Sequence, residues 1–300
     1  LISGVTGQDG SYLAKLLLSK GYKVFGTFRR TSTPNFWRLQ YADVYSKINL
    51  IPADLTDMGS LINAMKISDP DEVYNMAAMS FVRTAFEQPV GNSHSTGTAV
   101  TRFLESIKAI NPNVKFYQAS SSEMFGNSNT QTQNEQTSFS PASPYGAAKL
   151  YAHWITKVYQ EAYDMFAVSG ILFNHESPIR GLEFVTRKIT NAAVQIKLGL
   201  KKDISVGNLE SKRDWGYAPE YMEAIYLMMQ QDKPETYVIS TNEAHSVEEL
   251  AKVSFEVLDL DWKDYVKTDK KYHRPLDINL LKGDYSKAKN ELGWEPKTKF

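Results

Sequence analysis

The sequence predicts an α/β fold, a Rossmann-type doubly wound parallel sheet with a smaller C-terminal substrate-binding lobe. Two observations carry this prediction. Apolar stretches typical of strands alternate with stretches of helical periodicity up to about residue 175, and such alternation is typical of a parallel sheet covered by helices on both faces. The chain also opens with a strand, a glycine turn and a helix, which is how a dinucleotide-binding sheet begins.

The glycine turn contains Gly4, Gly7 and Gly10, three residues apart, and leads into a helical run over 11–18. Glycines at this spacing let the backbone turn tightly and approach a pyrophosphate, whose charge is favoured by the amides at a helix start. A GxxGxxG motif alone is a weak signal. A strand candidate over 22–28 strengthens it, because it completes a β-α-β unit of the expected length.

The second strand ends in Arg29 and Arg30. A carboxylate at this position would bind the adenosine ribose hydroxyls of NAD, whereas arginine suits a 2′-phosphate. We therefore predict NADP as the cofactor. The alternative is a solvated basic loop.

Further strands are predicted over 48–53, 72–76, 114–118 and 166–173, with helices over 98–110 and 145–163. Ligands of such sheets bind beyond the carboxyl ends of the strands. The polar or small residues that follow these strands are Asp54, Ala77, Ala78, Ser121, Ser122, Glu123, Asn174 and His175.

The alternation weakens after about residue 176, where glycine and proline interrupt the chain. We predict an NADP-binding domain over 1–175 and a mainly substrate-binding lobe over 176–300, with sheet elements returning near 205–245, including a strand over 237–240. The polar segment 127–140 is interpreted as a surface loop rather than a direct substrate contact.

Tyr145 and Lys149 stand four residues apart on a predicted helix, shortly after Ser121, Ser122 and Glu123. Residues i and i+4 share one face of a helix, so the ammonium can lie beside the phenol and stabilise its phenolate. We therefore expect a lowered pKa at Tyr145 and a base near neutral pH. An isolated YxxxK pattern is more often an ordinary pair of surface side chains on an amphipathic helix. We interpret this one as a catalytic pair because the chain also begins with the glycine turn.

The composition is that of an ordinary globular protein, with 300 residues, 42% hydrophobic content, zero formal net charge and no cysteine. Balanced charge gives no support for nucleic acid or an anionic membrane as the main partner, and no apolar run approaches the ~20 residues that span a bilayer. The lack of cysteine excludes disulfides and thiolate zinc sites and is compatible with a cytoplasmic protein, which is our expectation. No targeting segment is visible and no metal site is predicted.

With these residues in hand, the chain resembles the extended short-chain dehydrogenase/reductase superfamily and, within it, the GDP-mannose 4,6-dehydratase family, over essentially its whole length. The general signatures are the glycine turn and Tyr145-x-x-x-Lys149. The more specific ones lie in segments 7–11, 29–30, 54–57, 118–123, 174–178, 184–189 and 207–216.

The resemblance implies an NADP-dependent hydro-lyase of deoxysugar biosynthesis that converts GDP-mannose to GDP-4-dehydro-6-deoxymannose and water. It implies that Tyr145 removes the O4 proton while C4 is oxidised, and that Glu123 then removes the C5 proton. Water would leave from C6 with a proton from Glu123 or Ser122, and the hydride would return to C6. Lys149 is implied to assist Tyr145 and hold the nicotinamide ribose, and Ser121 to hydrogen-bond O4.

Matched positions imply two sets of binding residues, and the cations of the second suit a diphosphate. Those for the cofactor are Gly4, Thr6, Gly7, Gln8, Asp9, Gly10, Arg29, Arg30, Asp54, Leu55, Ala77, Ala78, Ser80, Tyr145, Lys149, His175 and Arg180. Those for the nucleotide sugar are Ser80, Ser121, Glu123, Tyr145, Asn174, Val185, Lys188, Gly207, Asn208, Arg213, Arg274 and Asp277. Apart from the resemblance, Lys188 is equally well a solvated lysine, His175 a structural histidine and Arg274 one half of a surface ion pair.

The chain departs from the family pattern at Ser121 (usually threonine), Met79 (glutamine), Gly91 (often tyrosine), Ile179 (arginine) and Asp277 (glutamate). None of these changes removes a catalytic group. They leave the identity of the sugar open, so the substrate could carry a modified hexose or a heptose attached to GDP.

Three alternatives are weighed against this assignment. Glu123 argues against a 4-epimerase, which needs no C5 base, and Ser122 argues against a TDP-sugar dehydratase, where aspartate usually precedes the glutamate. Intact Tyr145, Lys149 and Glu123 argue against a non-catalytic NADP-sensing protein.

A homodimer or homotetramer is expected, formed through the helix that carries Tyr145 and the loop after Arg30. The candidate contacts in that loop are Phe36, Trp37, Leu39 and Tyr41.

Overall fold

The computed structural model describes residues 1–272 and 274–300. The strands in that part of the chain are β1 (Ile2–Ser3), β2 (Phe25–Phe28), β3 (Asn49–Pro52), β4 (Glu72–Asn75), β5 (Lys115–Ser121), β6 (Ala167–Leu172), β7 (Asn174–Glu176), β8 (Ile204–Val206), β9 (Lys212–Arg213), β10 (Trp215–Tyr217), β11 (Tyr237–Ile239), β12 (His245–Ser246), β13 (Val266–Thr268) and β14 (Leu280–Leu281). The α-helices are α1 (Gln8–Ser19), α2 (Trp37–Tyr41), α3 (Met58–Ser68), α4 (Val82–Glu87), α5 (Pro89–Asn92), α6 (Thr98–Ile110), α7 (Pro144–Tyr163), α8 (Val185–Lys197), α9 (Ala218–Met229) and α10 (Val247–Glu256). Short 3-10 or π turns span Ser93–Gly97, Ser122–Met124, Trp262–Asp264, Lys270–Tyr272 and Ala288–Leu292.

The central sheet has seven strands in the order β11-β6-β5-β4-β1-β2-β3, and every neighbouring pair is parallel. The chain therefore leaves β1 in one direction through β2 and β3, and returns to its other side through β4, β5 and β6. The predicted doubly wound parallel sheet is confirmed. Its switch point lies between β1 and β4, where ligands of such sheets bind.

Two apolar layers cover the sheet. One contains Leu13 and Leu17 of α1 together with Met222 and Ile225 of α9, and the other contains residues of α3, α6 and α7 such as Leu104. Each fully buried side chain of this kind contributes about 1.5–3 kcal/mol to stability. These layers hold the carboxyl ends of the strands in fixed positions, and with them the side chains that follow each strand.

The C-terminal part of the chain builds three small sheets: β10 with β7, β12-β9-β14, and β13 with β8. A separate apolar cluster joins α8 and α10, with Ile189 and Phe255 among its buried members. Among the later strands in residues 1–272 and 274–300, only β11 returns to the central sheet, beside β6. The division into domains at residue 175 stays a prediction.

The polar segment 127–140 lies mostly at the surface, as predicted, and is anchored to the fold at Gln133 and Glu135. Gln133 is buried, its N–H donates to the Lys282 carbonyl at 2.8 Å, and its amide oxygen accepts from the Lys282 N–H at 2.9 Å. Glu135 accepts from the N–H of Val238 in β11 at 2.7 Å. The Glu135 side chain therefore covers one N–H at the edge of the central sheet. Separately, none of the helices over 1–272 and 274–300 has both the length and the apolar character needed to cross a membrane.

Candidate active site

A cavity of about 1170 Å³ lies over the carboxyl ends of the central strands, and residues of the C-terminal part form its far wall. The structure brings all of the predicted site residues into the lining of this cavity except Arg30. Arg30 lines a neighbouring cavity of about 440 Å³, and Arg29 lines both. No residue of segment 127–140 lines the larger cavity. This agrees with the interpretation of the segment as a loop that does not contact the substrate.

The glycine turn is built so closely that side chains are excluded. Gly4 has a positive φ of 69°, and a Cβ there would lie 2.8 Å from the Cα of Ala77. A Cβ on Gly10 would lie 2.5 Å from the carbonyl oxygen of Gly4. Helix α1 begins directly after Gly7, which caps it without a side-chain hydrogen bond, so its first amides remain available to an anion in the cavity. This turn fits the pyrophosphate of a dinucleotide.

Asp9 and His175 form a pair beside the turn, with side chains 24% and 9% exposed. The His175 Nε2 atom lies 3.0 Å from Asp9 Oδ2, and Nδ1 lies 2.7 Å from the carbonyl oxygen of Phe173. Burial opposes the charge on both groups, but each partner outweighs it, so the pKa of Asp9 is lowered and that of His175 is raised. Gln8 donates to the His175 carbonyl at 3.1 Å and accepts from Ser177 at 2.7 Å. His175 thus fastens the glycine turn to β7.

Tyr145 stands in the first turn of α7, where Ser143 caps the helix by accepting from the Gly146 N–H at 3.0 Å. Burial raises the pKa of Tyr145, a hydrogen bond with Ser121 lowers it in part, and the charge of Glu123 raises it further. The Lys149 ammonium donates to the Ala119 carbonyl at 2.7 Å, and burial lowers the pKa of Lys149 to about 8. The predicted lowering of the Tyr145 pKa is therefore wrong, because desolvation of the phenolate dominates.

Glu123 lies just past the end of β5, in the turn Ser122–Met124, and its N–H donates to Ser121 Oγ at 3.3 Å. Its Oε1 accepts from Arg274 Nη1 at 3.2 Å. Its Oε2 is buried and has no hydrogen-bond partner among the residues that the structure describes. A buried acceptor without a partner is costly and is uncommon outside functional sites, so Oε2 is available to accept a hydrogen bond or a proton from a ligand in the cavity. Ser122 is buried next to it.

The residues at the predicted adenosine end lie on two loops. Asp54 accepts from the Thr56 N–H at 2.8 Å and from the Thr56 hydroxyl at 2.7 Å, and these hydrogen bonds lower its pKa. Arg29 follows β2 directly and is exposed. Asp54 is thus fixed within its own loop, while the Arg29 side chain is accessible to an anion.

Cations collect at the opposite end of the cavity. Arg213 is buried and donates to the carbonyls of Lys212 and Ile278 at 2.9 and 2.8 Å. Lys188 donates to the Ser205 carbonyl at 2.6 Å and lies 3.6 Å from the centroid of the Tyr272 ring. Burial lowers the pKa of both groups. Arg274 adds a third positive charge, and this end of the cavity suits a polyanion.

The positions that depart from the family pattern are distributed unevenly. Met79 and Asp277 line the cavity, whereas Gly91 and Ile179 do not. Ile179 is fully buried, and its carbonyl accepts from Arg38 Nε at 2.8 Å. The structure therefore limits direct effects on a bound ligand to Met79, Asp277 and Ser121.

Sequence reasoning missed Arg38 and misassigned Leu39. Arg38 lines the cavity, but a single arginine among aromatic residues carries no motif that identifies it. Leu39 was predicted as an intersubunit contact, yet it is fully buried in the core. The reason is α2, whose turn directs Leu39 inward and leaves Trp37 and Tyr41 41% and 58% exposed.

A glycine turn at the switch point, a Tyr–Lys pair on the helix after β5, and a serine at the end of β5 share one cavity. This fold and site define an enzyme of the extended short-chain dehydrogenase/reductase superfamily. The additional Glu123 next to the serine is a group that simple alcohol oxidation does not need.

Comparison with known proteins identifies the family. The family model described as GDP-mannose 4,6 dehydratase matches residues 1–300. GDP-mannose 4,6 dehydratase 2 of Arabidopsis thaliana is 50% identical over 310 residues, covering 100% of this chain and 83% of the relative. The GDP-mannose 4,6 dehydratase of Homo sapiens is 44% identical over 326 residues, covering 100% and 87%. The chain therefore belongs to the GDP-mannose 4,6-dehydratase family, whose members are enzymes of the hydro-lyase class.

Solved structures with lower identity share the fold. A dTDP-glucose 4,6-dehydratase from Bacillus anthracis in complex with NAD has a TM-score of 0.85 at 22% identity, covering 100% of this chain and 91% of that one. A UDP-glucose 4-epimerase from Thermus thermophilus, also in complex with NAD, has a TM-score of 0.86 at 22% identity, covering 100% and 94%.

Proposed function

We propose that the chain carries out the reaction of its family, the 4,6-dehydration of GDP-mannose to GDP-4-dehydro-6-deoxymannose and water, with NADP as the cofactor. The observation that carries this proposal is the placement of Glu123 in the same cavity as Tyr145 and Ser121, with one carboxylate oxygen buried and unpartnered among the described residues. An epimerase has no use for that second acid–base group.

The cofactor is held by the glycine turn, Lys149 and the loops after β2, β3 and β4. When bound, a nicotinamide dinucleotide supplies reversible hydride chemistry at the sugar carbons. Arg29 and Arg30 support NADP over NAD, because a guanidinium pairs well with a 2′-phosphate. Members of the same fold were solved with NAD, so the discrimination between the two cofactors rests on these arginines.

The proton steps are assigned to the chain's own residues. Tyr145, once it has lost its own proton, accepts the proton of the sugar O4 as C4 becomes a ketone. The Ser121 hydroxyl, whose hydrogen bond lowers the pKa of Tyr145 in part, holds O4 and shares that proton. The ketone acidifies the C5 hydrogen, which Glu123 removes through Oε2. Glu123 then donates this proton to the departing C6 hydroxyl, with buried Ser122 as the alternative donor. Water leaves, and a double bond forms between C5 and C6. The hydride taken from C4 would then return to C6 from the bound cofactor, and the proton taken from O4 would pass to C5, so that the cofactor and the acid–base groups end as they began. Each general acid–base step contributes about 10²–10⁴-fold.

The nucleotide sugar is oriented by its diphosphate at the cationic end of the cavity, through Arg213, Lys188 and Arg274. Arg213 is held by two backbone carbonyls, so it offers a fixed positive charge. Asn174, Val185, Gly207, Asn208 and Asp277 line the same region and are proposed to contact the sugar or the nucleotide.

We also propose that the enzyme is a homodimer or homotetramer. Helix α7 has an uncovered apolar face, with Tyr151, Trp154 and Val158 exposed by 44%, 48% and 48%. These residues recur at helical spacing on one side of α7, which is the arrangement of a helix that packs against a second copy.

The test is to incubate the purified protein with catalytic NADP+ and with GDP-mannose, UDP-glucose or TDP-glucose separately, and to follow loss of water by mass spectrometry. Dehydration of GDP-mannose alone supports both the reaction and GDP as the nucleotide of the substrate. Faster dehydration of UDP-glucose or TDP-glucose than of GDP-mannose would overturn the assignment of GDP as the nucleotide. No dehydration of any of the three would overturn the reaction.

A further inference from the structure

The proton acceptor of the site is engaged by a cation at the mouth of the same cavity. Arg274 Nη1 lies 3.2 Å from Glu123 Oε1. The Glu123 side chain is 9% exposed and that of Arg274 is 30% exposed. The contact therefore joins a buried acid–base group to a guanidinium that solvent, and any ligand entering the cavity, can reach.

Arg274 differs from its neighbour Arg213 in how it is held. Arg213 is anchored by the carbonyls of Lys212 and Ile278, so it keeps its position whatever enters the cavity. In the described part of the chain, Glu123 is the one hydrogen-bond acceptor of the Arg274 side chain. Arg274 also stands outside regular structure, between the turn Lys270–Tyr272 and β14. A change of partner at Arg274 breaks a single hydrogen bond and no backbone pairing.

A diphosphate is the stronger partner for this guanidinium. It carries more negative charge than one carboxylate and offers several oxygens to the planar array of N–H donors. Lys188, Arg213 and Arg274 all line this cavity. Arg213 is close enough to Arg274 for their charges to interact, and Lys188 lies 3.6 Å from the centroid of the Tyr272 ring, two residues before Arg274. A phosphate bound by the anchored Arg213 therefore comes within range of Arg274.

We propose that Arg274 is a positioning residue that binds Glu123 until a nucleotide diphosphate enters, and then exchanges the carboxylate for the diphosphate. This inference rests on the proposed function. The exchange leaves both oxygens of Glu123 without a cation at the moment the sugar is in place. While Arg274 binds Oε1, its positive charge opposes transfer of a proton to Oε2 of the same carboxylate. A substrate without the diphosphate leaves that charge in place, so the exchange favours proton removal from nucleotide sugars.

The proposal predicts competition between Glu123 and GDP for Arg274, which a double-mutant cycle measures without any turnover. GDP binding to the NADP-loaded enzyme is titrated calorimetrically for the wild type, Glu123→Gln, Arg274→Gln and the double variant. In the wild-type background, Glu123→Gln tightens GDP binding about fivefold or more, because Arg274 no longer has to leave a charged partner. In the Arg274→Gln background, the same change alters the affinity less than about twofold.

Two controls separate the exchange from general repulsion between carboxylates and phosphates. Glu183 lines the same cavity, and Glu183→Gln removes the same charge without touching the pair. Its effect on GDP affinity is expected to be equal with and without Arg274. Guanosine, which lacks phosphates, is expected to bind equally to the wild type and Glu123→Gln.

Turnover gives a second readout. Arg274→Gln is expected to raise KM for GDP-mannose about tenfold, through the lost phosphate contact, and to leave kcat within about threefold. A fall in kcat with unchanged KM would mean that Arg274 supports Glu123 during the chemistry, and would overturn the exchange. An equal effect of Glu123→Gln in both backgrounds would also overturn it. If the wild type dehydrates GDP-mannose, either result leaves the proposed function intact; if GDP does not bind, both proposals fail.

Discussion

The Lys149 ammonium lies 5.8 Å from the centroid of the Tyr145 ring, and it donates its hydrogen bond to the Ala119 carbonyl rather than to the phenol. Both groups are buried, and burial acts on them in opposite directions, raising the pKa of Tyr145 and lowering that of Lys149 to about 8. Each shift favours the neutral form of its group. Burial therefore disfavours the phenolate that proton transfer from the sugar needs, and a positive charge brought into the cavity would favour it.

Tyr145→Phe is expected to abolish the first step of the reaction. Without the phenol oxygen, the sugar O4 proton has no direct acceptor, and we expect kcat to fall by about 10²–10⁴-fold with little change in GDP affinity. Rapid-mixing absorbance should detect no reduced cofactor. Tyr151→Phe is the matched control, since Tyr151 lies on the same helix with its hydroxyl at the surface, 2.9 Å from that of Thr101. Retention of cofactor reduction in Tyr145→Phe would exclude Tyr145 as the base.

Glu123→Gln is expected to separate the two halves of the reaction. Oxidation at C4 needs Tyr145 and Ser121, whereas elimination needs a base at C5, so the variant should oxidise the sugar and then stop. Reduced cofactor should accumulate, together with a bound sugar that is lighter by two hydrogens and has not lost water. Net dehydration should fall about 10²–10⁴-fold. Full activity in this variant would remove Glu123 from the mechanism.

Arg29→Glu is expected to reverse the preference for the phosphorylated cofactor. Arg29 lines both cavities where β2 ends, and loss of its charge-assisted hydrogen bonds should weaken NADP binding about 10- to 100-fold. A carboxylate there can bind ribose hydroxyls, so NAD affinity should hold or rise. Fluorescence titration with both cofactors measures the ratio. Equal weakening for both would show that Arg29 supports the loop rather than the 2′-phosphate.

Charged substitutions on the exposed face of α7 are expected to weaken self-association. Trp154 and Val158 are each 48% exposed, and a glutamate at Trp154 would bury an unpaired charge in any contact made by this face. Sedimentation velocity over a range of concentrations should move from dimer or tetramer toward monomer. Val257→Glu is the control, since Val257 is 78% exposed at the end of α10. A wild type that sediments as a monomer at every concentration would exclude the proposed assembly.

The sequence predicted the parts of the site that depend on local pattern. The glycine turn, the helix that carries Tyr145 and the strand that ends near Ser121 are each determined by residues close in the chain, and their order in a parallel sheet brings them to one edge. The strand bounds differed by a few residues, and β5 runs to Ser121 rather than to Gln118. That difference makes Ser121 the last residue of a strand and so fixes its direction.

Properties that depend on burial or on distant contacts could not be predicted in this way. The i, i+4 spacing places Lys149 near Tyr145, but the pKa of the phenol is decided by desolvation, which has no signature in spacing. The contact between Glu123 and Arg274 joins residues 151 positions apart. Leu39 shows the same limit at short range, because the sequence of a five-residue helix does not distinguish an apolar residue that faces the core from one that faces a partner.

His153 offers a test of stability against pH. It is buried on α7, its Nδ1 lies 3.0 Å from the Ser120 hydroxyl, and burial, with the charge of Lys157, lowers its pKa from 6.5 to about 4. Between these values the unfolded chain binds a proton that the native chain does not, so the free energy of unfolding must fall as pH falls from 6.5 toward 4. This contribution is at most about 3 kcal/mol. Urea unfolding near pH 7 and near pH 4.5 measures how much the free energy of unfolding falls on acidification. We expect this decrease to be smaller for His153→Gln than for the wild type, by about 2 kcal/mol. His94→Gln, at an exposed position, should keep the wild-type loss, and an equal loss in His153→Gln would mean that the imidazole is protonated in the native chain.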